Sequence, residues 1–390
     1  MRVLCIDIEG GHGGSSRSLF SFLESMNRSD CEVEVICQRQ SQLVEEYKSL
    51  GIKCDVWQKM PKLTALNNWL VNLVNFPRFY FYTFPKTKKS RLELLKRSQA
   101  FDLLHANHIS LTPLLVWLKK KNPKLKIVTH IRTNPKKSIF SKYEASCCLK
   151  VSDDLIFITE NELENFQNLT SKKVSGHIIH NAVRNVKIKS PVHRSIADDQ
   201  RIKIISLSNF SKARGVDRLL DVAKMLPKEL RSKVVFLVVG DMSERSLRRF
   251  LPWERSFQDR ICTSDFSNMF IFMGHLGDPT SVLHSSNLLF KLTRENNPWG
   301  RDIIEALSCG LPVVSIGSYD KFVQTGLTGL LQRVYNPEAI AKWLEEVIGD
   351  QSKLAQMSEN SKLVTKEHCS AEMLSISIKS VWKNLANQSK

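Results

Sequence analysis

Short apolar segments alternate with helix-like segments along most of this chain, and that alternation restricts the fold more than any other feature of the sequence. Strands separated by helices are typical of a parallel sheet with helices on both faces. The segments are short and rich in Val, Ile and Leu, as buried parallel strands are. In the first half, the predicted strands are Val3–Ile8, Val33–Cys37, Lys53–Trp57, Leu103–Ala106, Lys126–His130, Leu155–Ile158 and Gly176–His180.

A polar stretch separates this series from a second one. Residues 184–201, RNVKIKSPVHRSIADDQR, lack the apolar pattern and contain Pro191, so we interpret them as a linker. We predict one Rossmann-like domain over 1–183, another over 202–370 and a last helix over 371–390. Two doubly wound domains leave a cleft beside the carboxyl ends of their strands, where ligands of such sheets bind. The later strands are predicted at Lys203–Leu207, Val234–Val239, Phe270–Phe272, Leu288–Lys291 and Val313–Ile316.

The composition is that of an ordinary water-soluble protein. The 390 residues are 42% hydrophobic and 25% charged, and this length is ample for two cores. No run of about 18 apolar residues occurs, so we predict no membrane-spanning segment. Asp7 and Glu9 interrupt any signal-peptide core. The nine cysteines form no CxxC pair, and a reducing cytoplasm is therefore the expected compartment.

Two segments contribute strongly to the formal net charge of +18. Residues 64–91 interleave aromatic rings with bases, and residues 105–143 contain no Asp or Glu. Anionic lipid headgroups attract such segments by about 1 kcal/mol per base near the surface, and aromatic rings suit that interface. A solvated basic face and peripheral contact with an anionic membrane both remain open. Nucleic acid is not expected as a partner, because no nucleic-acid motif accompanies the charge. The bases singled out for membrane contact are Lys86, Lys88, Lys89 and Arg91.

The most specific motif is the segment LTRENNPWGRDIIEALSCGLPVVSI, which begins at Leu292. Asn297 is predicted to cap a helix that ends at Gly310 in a left-handed conformation. The start of that helix would offer N–H groups and a positive dipole end to a phosphate. Glu305, about two turns into the helix, would accept hydrogen bonds from ribose hydroxyls. The alternative is a surface ion pair with Arg301 one turn earlier.

Each predicted domain has a candidate loop directly after its first strand. Glycines in Glu9–Ser16 let the backbone approach a ligand closely, and Ser15 or Ser16 can cap the next helix. The spacing is not GxGxxG and lacks the Lys-Ser/Thr end of a P-loop, so a nicotinamide or flavin site is disfavoured. The second loop, Ser208–Asp217, carries Lys212 and Arg214.

Histidines cluster after the strand Leu103–Ala106. His105 and His108 lack a third ligand at suitable spacing, so a zinc site is not expected, and we predict no metal and no other cofactor. Arg132 ends the next strand and is a candidate to hold an anionic acceptor.

Taken together, these motifs resemble the retaining glycosyltransferase family 4, whose members have the GT-B fold: two Rossmann-like domains facing across a cleft. Glu305 matches the second Glu of the family's donor motif, and Asn297 replaces the first, with Glu295 two residues earlier. Arg214-Gly215 matches the family's Lys-Gly, and Asn209 stands where the family has Arg. The residues that match the end of the donor motif are Ala306, Gly310, Pro312, Val313 and Val314.

The resemblance implies a role for each candidate. The first domain would hold the acceptor, the second would hold the donor, and the last helix would return toward the first domain. The catalytic candidates are His108, Glu295 and Asn297. The acceptor-binding candidates are His105 and Arg132. The donor-binding candidates are Gly13, Gly14, Asn209, Lys212, Arg214, Arg294 and Glu305.

The implied reaction moves a hexose-type sugar from a UDP- or GDP-sugar to a glycan or lipid-linked acceptor, with retention of configuration, in cell-surface polysaccharide or glycolipid synthesis. Negative charge builds on the departing diphosphate, and Lys212, Arg214 and Arg294 would stabilise it without a metal. The expected location is the cytoplasm, with or without contact to the inner face of the membrane. Two alternatives stay open: a non-catalytic GT-B relic that binds nucleotide or glycan, and a GT-B epimerase or phosphorylase.

Overall fold

The chain forms two compact units. Unit 1 comprises Met1–Ala182 and Ser370–Lys390, and unit 2 comprises Val183–Cys369. The computed structural model describes residues 1–9, 13–65, 69–134, 137–183, 194–208, 212–240, 258–295 and 297–388. The first ten residues of the predicted linker, 184–193, lie outside the described residues, and the next part of it contains a short helix, Arg194–Ala197.

Unit 1 is built on a parallel sheet with the strand order β3-β2-β1-β4-β5-β6-β7. The strand order changes direction between β1 and β4, and doubly wound sheets bind their ligands at such a switch point. The strands are β1 (Arg2–Ile6), β2 (Glu32–Cys37), β3 (Lys53–Val56), β4 (Leu103–Ala106), β5 (Lys126–Ile131), β6 (Asp154–Phe157) and β7 (His177–Ile178).

Helices cover both faces of this sheet. In β1, Val3 and Cys5 pack into the core on one face, and Leu4 and Ile6 pack into a separate core on the other. This explains why β1 is apolar at almost every position. With helices numbered in chain order, unit 1 contains α1 (Gly14–Ser25), α2 (Gln42–Ser49), α3 (Trp69–Arg78), α4 (Phe84–Lys86), α5 (Lys88–Ser98), α6 (Thr112–Lys121), α7 (Ile139–Val151), α8 (Glu160–Thr170) and α16 (Ala371–Asn387).

The last helix, α16, belongs to the core of unit 1. Trp382 is fully buried there, and its Nε1 donates to Nδ1 of His105 on β4 at 3.0 Å. Ile378, Val381 and Leu385 join the cluster that contains residues of α1 and β1. Burial of this apolar stripe is what holds α16 on unit 1.

From Trp69 onward the basic aromatic segment is helical, which the sequence did not indicate. Helix α3 continues into a π-helical turn, Phe79–Thr83, and then into α4 and α5. Arg91, predicted as a membrane-facing base, is instead buried, with its guanidinium carbon 3.8 Å from the centroid of the Phe84 ring. Its Nε donates to the Thr87 hydroxyl at 3.1 Å. Within the described parts of the chain, no helix combines the length and apolar character needed to span a bilayer.

Unit 2 repeats this architecture with the strand order β10-β9-β8-β11-β12-β13, all pairs being parallel. Its strands are β8 (Ile202–Leu207), β9 (Val234–Val239), β10 (Phe270–Gly274), β11 (Leu288–Lys291), β12 (Val313–Ile316) and β13 (Gly329–Gln332). Its helices are α9 (Arg194–Ala197), α10 (Arg218–Met225), α11 (Lys228–Arg231), α12 (Thr280–His284), α13 (Arg301–Ser308), α14 (Pro337–Gly349) and α15 (Gln351–Cys369).

Helix α13 begins later than its sequence suggested. Its N-cap is Gly300, so the prediction of Asn297 as N-cap is wrong. The side-chain Nδ2 of Asn297 donates to Oε2 of Glu295 at 3.4 Å, and its Oδ1 accepts from no helix N–H among the described residues. The predicted end is confirmed, because Gly310 has a φ of +79°, the left-handed conformation that glycine adopts at low cost.

Candidate functional site

In unit 2, the loops after β8 and β11 meet at the carboxyl end of the sheet. Gly215 has a φ of +71°, and a Cβ atom at this position would lie 1.9 Å from the carbonyl oxygen of Leu292. The carbonyl of Ala213 accepts from the N–H of Arg294 at 2.8 Å and from the hydroxyl of Thr293 at 3.1 Å. Hydrogen bonds therefore hold the two loops together, and the absence of a side chain at Gly215 lets them approach this closely.

The guanidinium of Arg294 fastens these loops. Its two Nη atoms each donate to one carboxylate oxygen of Asp217 at 2.7 Å, and Nη1 also donates to the carbonyl of Lys212 at 2.6 Å. The hydrogen bonds to Asp217 raise the pKa of Arg294. Because an acid already neutralises this base, Arg294 is placed to position the loop rather than to offer its charge to a diphosphate.

Lys212 and Arg214 are two exposed bases of the junction whose charge is not taken up by Asp217. Both lie in a 3₁₀ turn, Lys212–Arg214, and both are exposed. Nη1 of Arg214 is 3.7 Å from Oε2 of Glu295, in an ion pair that leaves the arginine side chain 42% exposed. Solvent therefore reaches this pair, and an incoming anion has access to it. Asn209, the third predicted donor ligand of this loop, lies outside the described residues.

The structure brings Glu295 and Asn297 together with Arg214. The N–H of Asn297 donates to the carbonyl of Glu295 at 2.9 Å, and its side-chain Nδ2 donates to Oε2 of Glu295 at 3.4 Å. Oδ1 of Asn297 is buried and has no hydrogen-bond partner among the described residues. An enclosed amide oxygen without a donor is an acceptor for a ligand hydroxyl, because leaving it unpaired costs about 1–3 kcal/mol.

Glu305 forms the ion pair that was the alternative prediction. Its Oε1 accepts from Nε and Nη2 of Arg301 at 3.0 and 2.7 Å. The two side chains are only 16% and 10% exposed, so this is not a solvated surface pair. Sequence reasoning missed a second pair, in which Nζ of Lys291 donates to Oδ1 of Asp302 at 2.9 Å. The lysine in an otherwise apolar strand was the signal for it.

In unit 1, Gly13 and Gly14 form the start of α1. Gly13 is the N-cap and Gly14 the first helical residue, so the prediction of a serine cap is wrong. A Cβ atom on Gly13 would lie 1.6 Å from Oε2 of Glu9. A carboxylate therefore lies against the helix start, where anions are favoured.

A buried polar network that the sequence did not reveal lies near α1. Nε and Nη1 of Arg132 donate to Oδ1 of Asn107 at 2.6 Å and to Oδ1 of Asn181 at 3.0 Å. Nδ2 of Asn107 donates to Oδ1 of Asp7 at 3.0 Å, and the Ser18 hydroxyl donates to Oδ1 of Asn181 at 3.0 Å. The network joins the ends of β1, β4 and β5 to α1. The guanidinium of Arg132 thus spends at least two of its donors on hydrogen bonds within unit 1.

The histidines occupy different positions relative to this network. His105 is fully buried and accepts from Trp382, a placement that conflicts with contact to an acceptor. His108 caps the 3₁₀ turn Ile109–Leu111, its Nδ1 accepting from the N–H of Ser110 at 3.1 Å. Burial, with Arg132 and Lys62 nearby, lowers the pKa of His108 to about 4. Its imidazole is therefore neutral at pH 7.

We expect His130→Phe to make folding less sensitive to acid. His130 is fully buried, neither ring nitrogen has a partner among the described residues, and burial lowers its pKa well below the usual value. The unfolded chain therefore binds the proton first, so stability is complete above about pH 6.5 and falls as pH decreases.

In urea unfolding, the stability lost between pH 7.5 and 5.5 should be smaller in the variant by about 1 kcal/mol. His284→Phe, at an exposed position of unit 2, is the matched control. An unchanged pH dependence in His130→Phe would contradict the expectation.

Two family models match the chain, one in each half. The model described as Glycosyltransferase Family 4 matches residues 12–185, and the model described as Glycosyl transferases group 1 matches residues 192–364. Neither match is confined to one motif. Together they account for most of both units.

Curated relatives have low sequence identity to this chain and match only part of it. The N-acetyl-alpha-D-glucosaminyl L-malate synthase of Bacillus anthracis is 23% identical over 197 residues, which is 50% of this chain and 48% of that protein. The lipopolysaccharide core biosynthesis glycosyltransferase LpsE of Rhizobium meliloti is 23% identical over 202 residues, which is 51% of this chain and 52% of that protein. The matched region therefore spans about half the length of these relatives.

Solved structures match over nearly the whole chain. Anabaena Alr3699/HepE in complex with UDP-glucose has a TM-score of 0.74 at 17% identity, covering 98% of this chain and 100% of the other. The same protein in complex with UDP has a TM-score of 0.76 at 16% identity, with the same coverage. At such identities the likeness concerns the fold, and it confirms the predicted two-domain α/β GT-B class.

Proposed function

The chain belongs to the group 1, family 4 glycosyltransferases, and from this premise we propose that it moves a hexose-type sugar from a UDP- or GDP-sugar to a glycan or lipid-linked acceptor, with retention of configuration. Synthesis of a cell-surface polysaccharide or glycolipid is the process that we infer. One observation carries the proposal. The exposed bases Lys212 and Arg214 lie in a loop that is fastened to the loop bearing Glu295.

The diphosphate explains why two bases are needed. Negative charge builds on the leaving oxygen as its bond to the sugar breaks, so electrostatic stabilisation in a pre-formed site is the main catalytic task. We assign this task to Arg214 and Lys212. Arg294, bonded to Asp217, keeps them in position. No metal is required in this scheme.

Two neighbouring residues are suited to the sugar. Glu295 already accepts from Asn297 and pairs with Arg214, and the Oδ1 atom of Asn297 is ready to accept from a sugar hydroxyl. Asn297 is neutral, so it orients the sugar without adding charge. In unit 1, the neutral His108 and the network around Arg132 are our candidates for acceptor contacts, and His105 is assigned none.

The proposal is tested by donor binding and turnover, each measured in buffer with and without EDTA. A thermal-shift panel of UDP, GDP, ADP and their sugars should show selective stabilisation by one nucleotide-sugar, since a ligand stabilises the state that binds it. The same donor should then be hydrolysed or transferred to an acceptor extract. Selective binding without any turnover would identify a non-catalytic relic. Turnover that EDTA abolishes would contradict metal independence.

Glu305→Gln should weaken UDP binding by about 1–3 kcal/mol, because ribose hydroxyls lose a charged acceptor and Arg301 loses its partner. Isothermal titration of UDP and of its dideoxyribose analogue separates these two causes. Loss confined to UDP indicates a ribose contact. Arg301→Gln is the matched control, and an equal loss in both variants for both ligands would assign Glu305 a purely structural role.

A further inference from the structure

Unit 1 contains a cavity of about 200 Å³ between α6, α7 and the π-helical turn. Aromatic and aliphatic side chains form most of its wall, including Phe76, Tyr80, Val116 and Trp117. On α6 the lining residues run from Thr112 to Lys120, a distance of about 12 Å along the helix axis. We call this elongated cavity the α6–α7 slot.

The slot contains one buried acid. Glu144 is the only Asp or Glu between Asp102 and Asp153. Its side chain lines the slot, the residue is 6% exposed, and its Oε1 atom has no hydrogen-bond partner among the described residues. The hydroxyl of Thr112 is already used, because it donates to the carbonyl of Ile109 at 2.6 Å. Oε1 of Glu144 is therefore a buried polar atom in the wall of the slot that is able to bond a polar atom of a ligand.

Burial raises the pKa of Glu144 to about 8, opposed by a hydrogen bond from the backbone of Ala65. The carboxyl group consequently keeps its proton at neutral pH. The slot is then uncharged at this point and accepts an apolar ligand without burying an ionised group.

The elements that form the slot also carry exposed apolar side chains. Trp69 and Val74 on α3 are 61% and 64% exposed, Phe81 on the π-helical turn is 85% exposed, and Ile139 at the start of α7 is 84% exposed. Large apolar side chains exposed together mark an interaction surface. We call these four residues the apolar rim.

The segments that form the slot and the rim are basic, which favours an anionic partner. Residues 56–92 contain no Asp or Glu, and neither do residues 105–143. Lys86, Lys88, Lys89 and Lys120 are exposed in this region. Exposed rings interleaved with bases are suited to an anionic bilayer, where the rings enter the headgroup layer and the bases meet lipid phosphates.

Leu63, which lines the slot, is bonded to the turn that follows His108. The N–H of Leu63, a lining residue, donates to the carbonyl of Ser110 at 2.9 Å. The N–H of Ser110 in turn donates to Nδ1 of His108 at 3.1 Å. One wall of the slot is thus tied by hydrogen bonds to the turn that follows β4.

We propose that the α6–α7 slot binds the hydrocarbon chain of a lipid-anchored acceptor drawn from an anionic membrane, and that the Glu144 carboxyl hydrogen-bonds the polar group at the end of that chain. This inference rests on the proposed transferase function and names its acceptor class. The apolar rim holds the protein on the bilayer, and the slot admits one chain.

Photo-crosslinking from vesicles tests the slot. The probe is phosphatidylglycerol with a diazirine at the tip of one acyl chain, mixed into phosphatidylglycerol vesicles. Irradiation should label peptides that contain Val116 and Cys147. Val116→Trp fills the slot from a position that is 38% exposed, and it should lower this labelling about tenfold, since a packed interior leaves no room for a chain.

The controls keep the result specific. Ile376→Trp introduces the same side chain on α16, at a position that is 69% exposed, and should not change labelling. Vesicle co-sedimentation should persist in both variants. Labelling restricted to α3, or equal in Val116→Trp and the wild-type protein, overturns the proposal. Competition by polyprenyl phosphate but not by phosphatidylcholine would identify a prenyl rather than an acyl chain.

Glu144→Gln provides a second, isosteric test. Labelling of the wild-type protein should fall between pH 7 and pH 9 as Glu144 ionises, and labelling of the variant should not. The other titratable groups that face Glu144 are unchanged in the variant, so the comparison isolates it; they are Tyr80, Lys120, Tyr143, Cys147 and Cys148. Identical pH profiles would remove Glu144 from the site.

Donor hydrolysis without vesicles is measured in parallel. Hydrolysis with no labelling of the slot refutes the chain site and leaves the transferase assignment intact. Labelling without any donor binding supports the chain site and refutes the transferase assignment.

Discussion

Arg214→Ala should lower kcat/KM for donor turnover by about 100-fold, because one pre-positioned charge at a developing anion is worth roughly this much. The change also leaves Glu295 without the cation that lies 3.7 Å away. Once that cation is gone, the negative charge of Glu295 is less compensated and repels the diphosphate more strongly. Both effects act in the same direction.

Steady-state turnover of the donor identified by thermal shift is the measurement. Arg214→Lys should recover part of the loss, since it restores charge but not the two-pronged geometry of guanidinium. Lys228→Ala removes an exposed base elsewhere in unit 2 and serves as the matched control. Equal activity of Arg214→Ala and Lys228→Ala would remove Arg214 from the site.

Gly215→Ala should destabilise unit 2 by about 3 kcal/mol, the sum of a left-handed backbone conformation and a forced separation of packed atoms. Gly215 has a φ of +71°, and its Cβ atom would lie 1.9 Å from a carbonyl oxygen. Both clashing groups are fixed to the backbone, so a rotamer change cannot relieve the contact. Relief requires the two loops to separate, and the bond between Arg294 and Lys212 is then lost.

Gly326→Ala separates the two causes. Gly326 has a φ of +82°, yet a Cβ atom there would meet nothing within 4 Å. Its substitution should cost only about 1 kcal/mol, the conformational part alone. Urea unfolding of both variants, with donor turnover assayed on the folded proteins, gives the comparison. Equal losses of stability would show that the contact with Leu292 is not tight.

The fold was predictable because its strands are buried on both faces. Strands β4, β9, β11 and β12 begin and end where the sequence indicated, since each is a short and largely apolar run. The helices of residues 69–98 were not predicted. Aromatic side chains lie on both faces of that segment and Pro77 lies inside α3, so no single apolar stripe stands out.

The site was predictable where partners are near in sequence and unpredictable where they are distant. Arg301 and Glu305 are one helical turn apart, and their ion pair was foreseen as one of two alternatives. Asp217 and Arg294 are 77 residues apart, and Asn107 and Asp7 are 100 residues apart. Only the folded sheet brings those pairs together, so spacing in the chain carries no sign of them.

The membership of α16 in unit 1 has a consequence for synthesis. A ribosome releases every residue of unit 2 before it releases Trp382, which fills the core of unit 1. Domains commonly fold in the order of their translation, but here the first-made unit must wait for the last-made helix. Nascent chains that end before residue 371 should carry a finished unit 2 and a unit 1 whose core lacks Trp382.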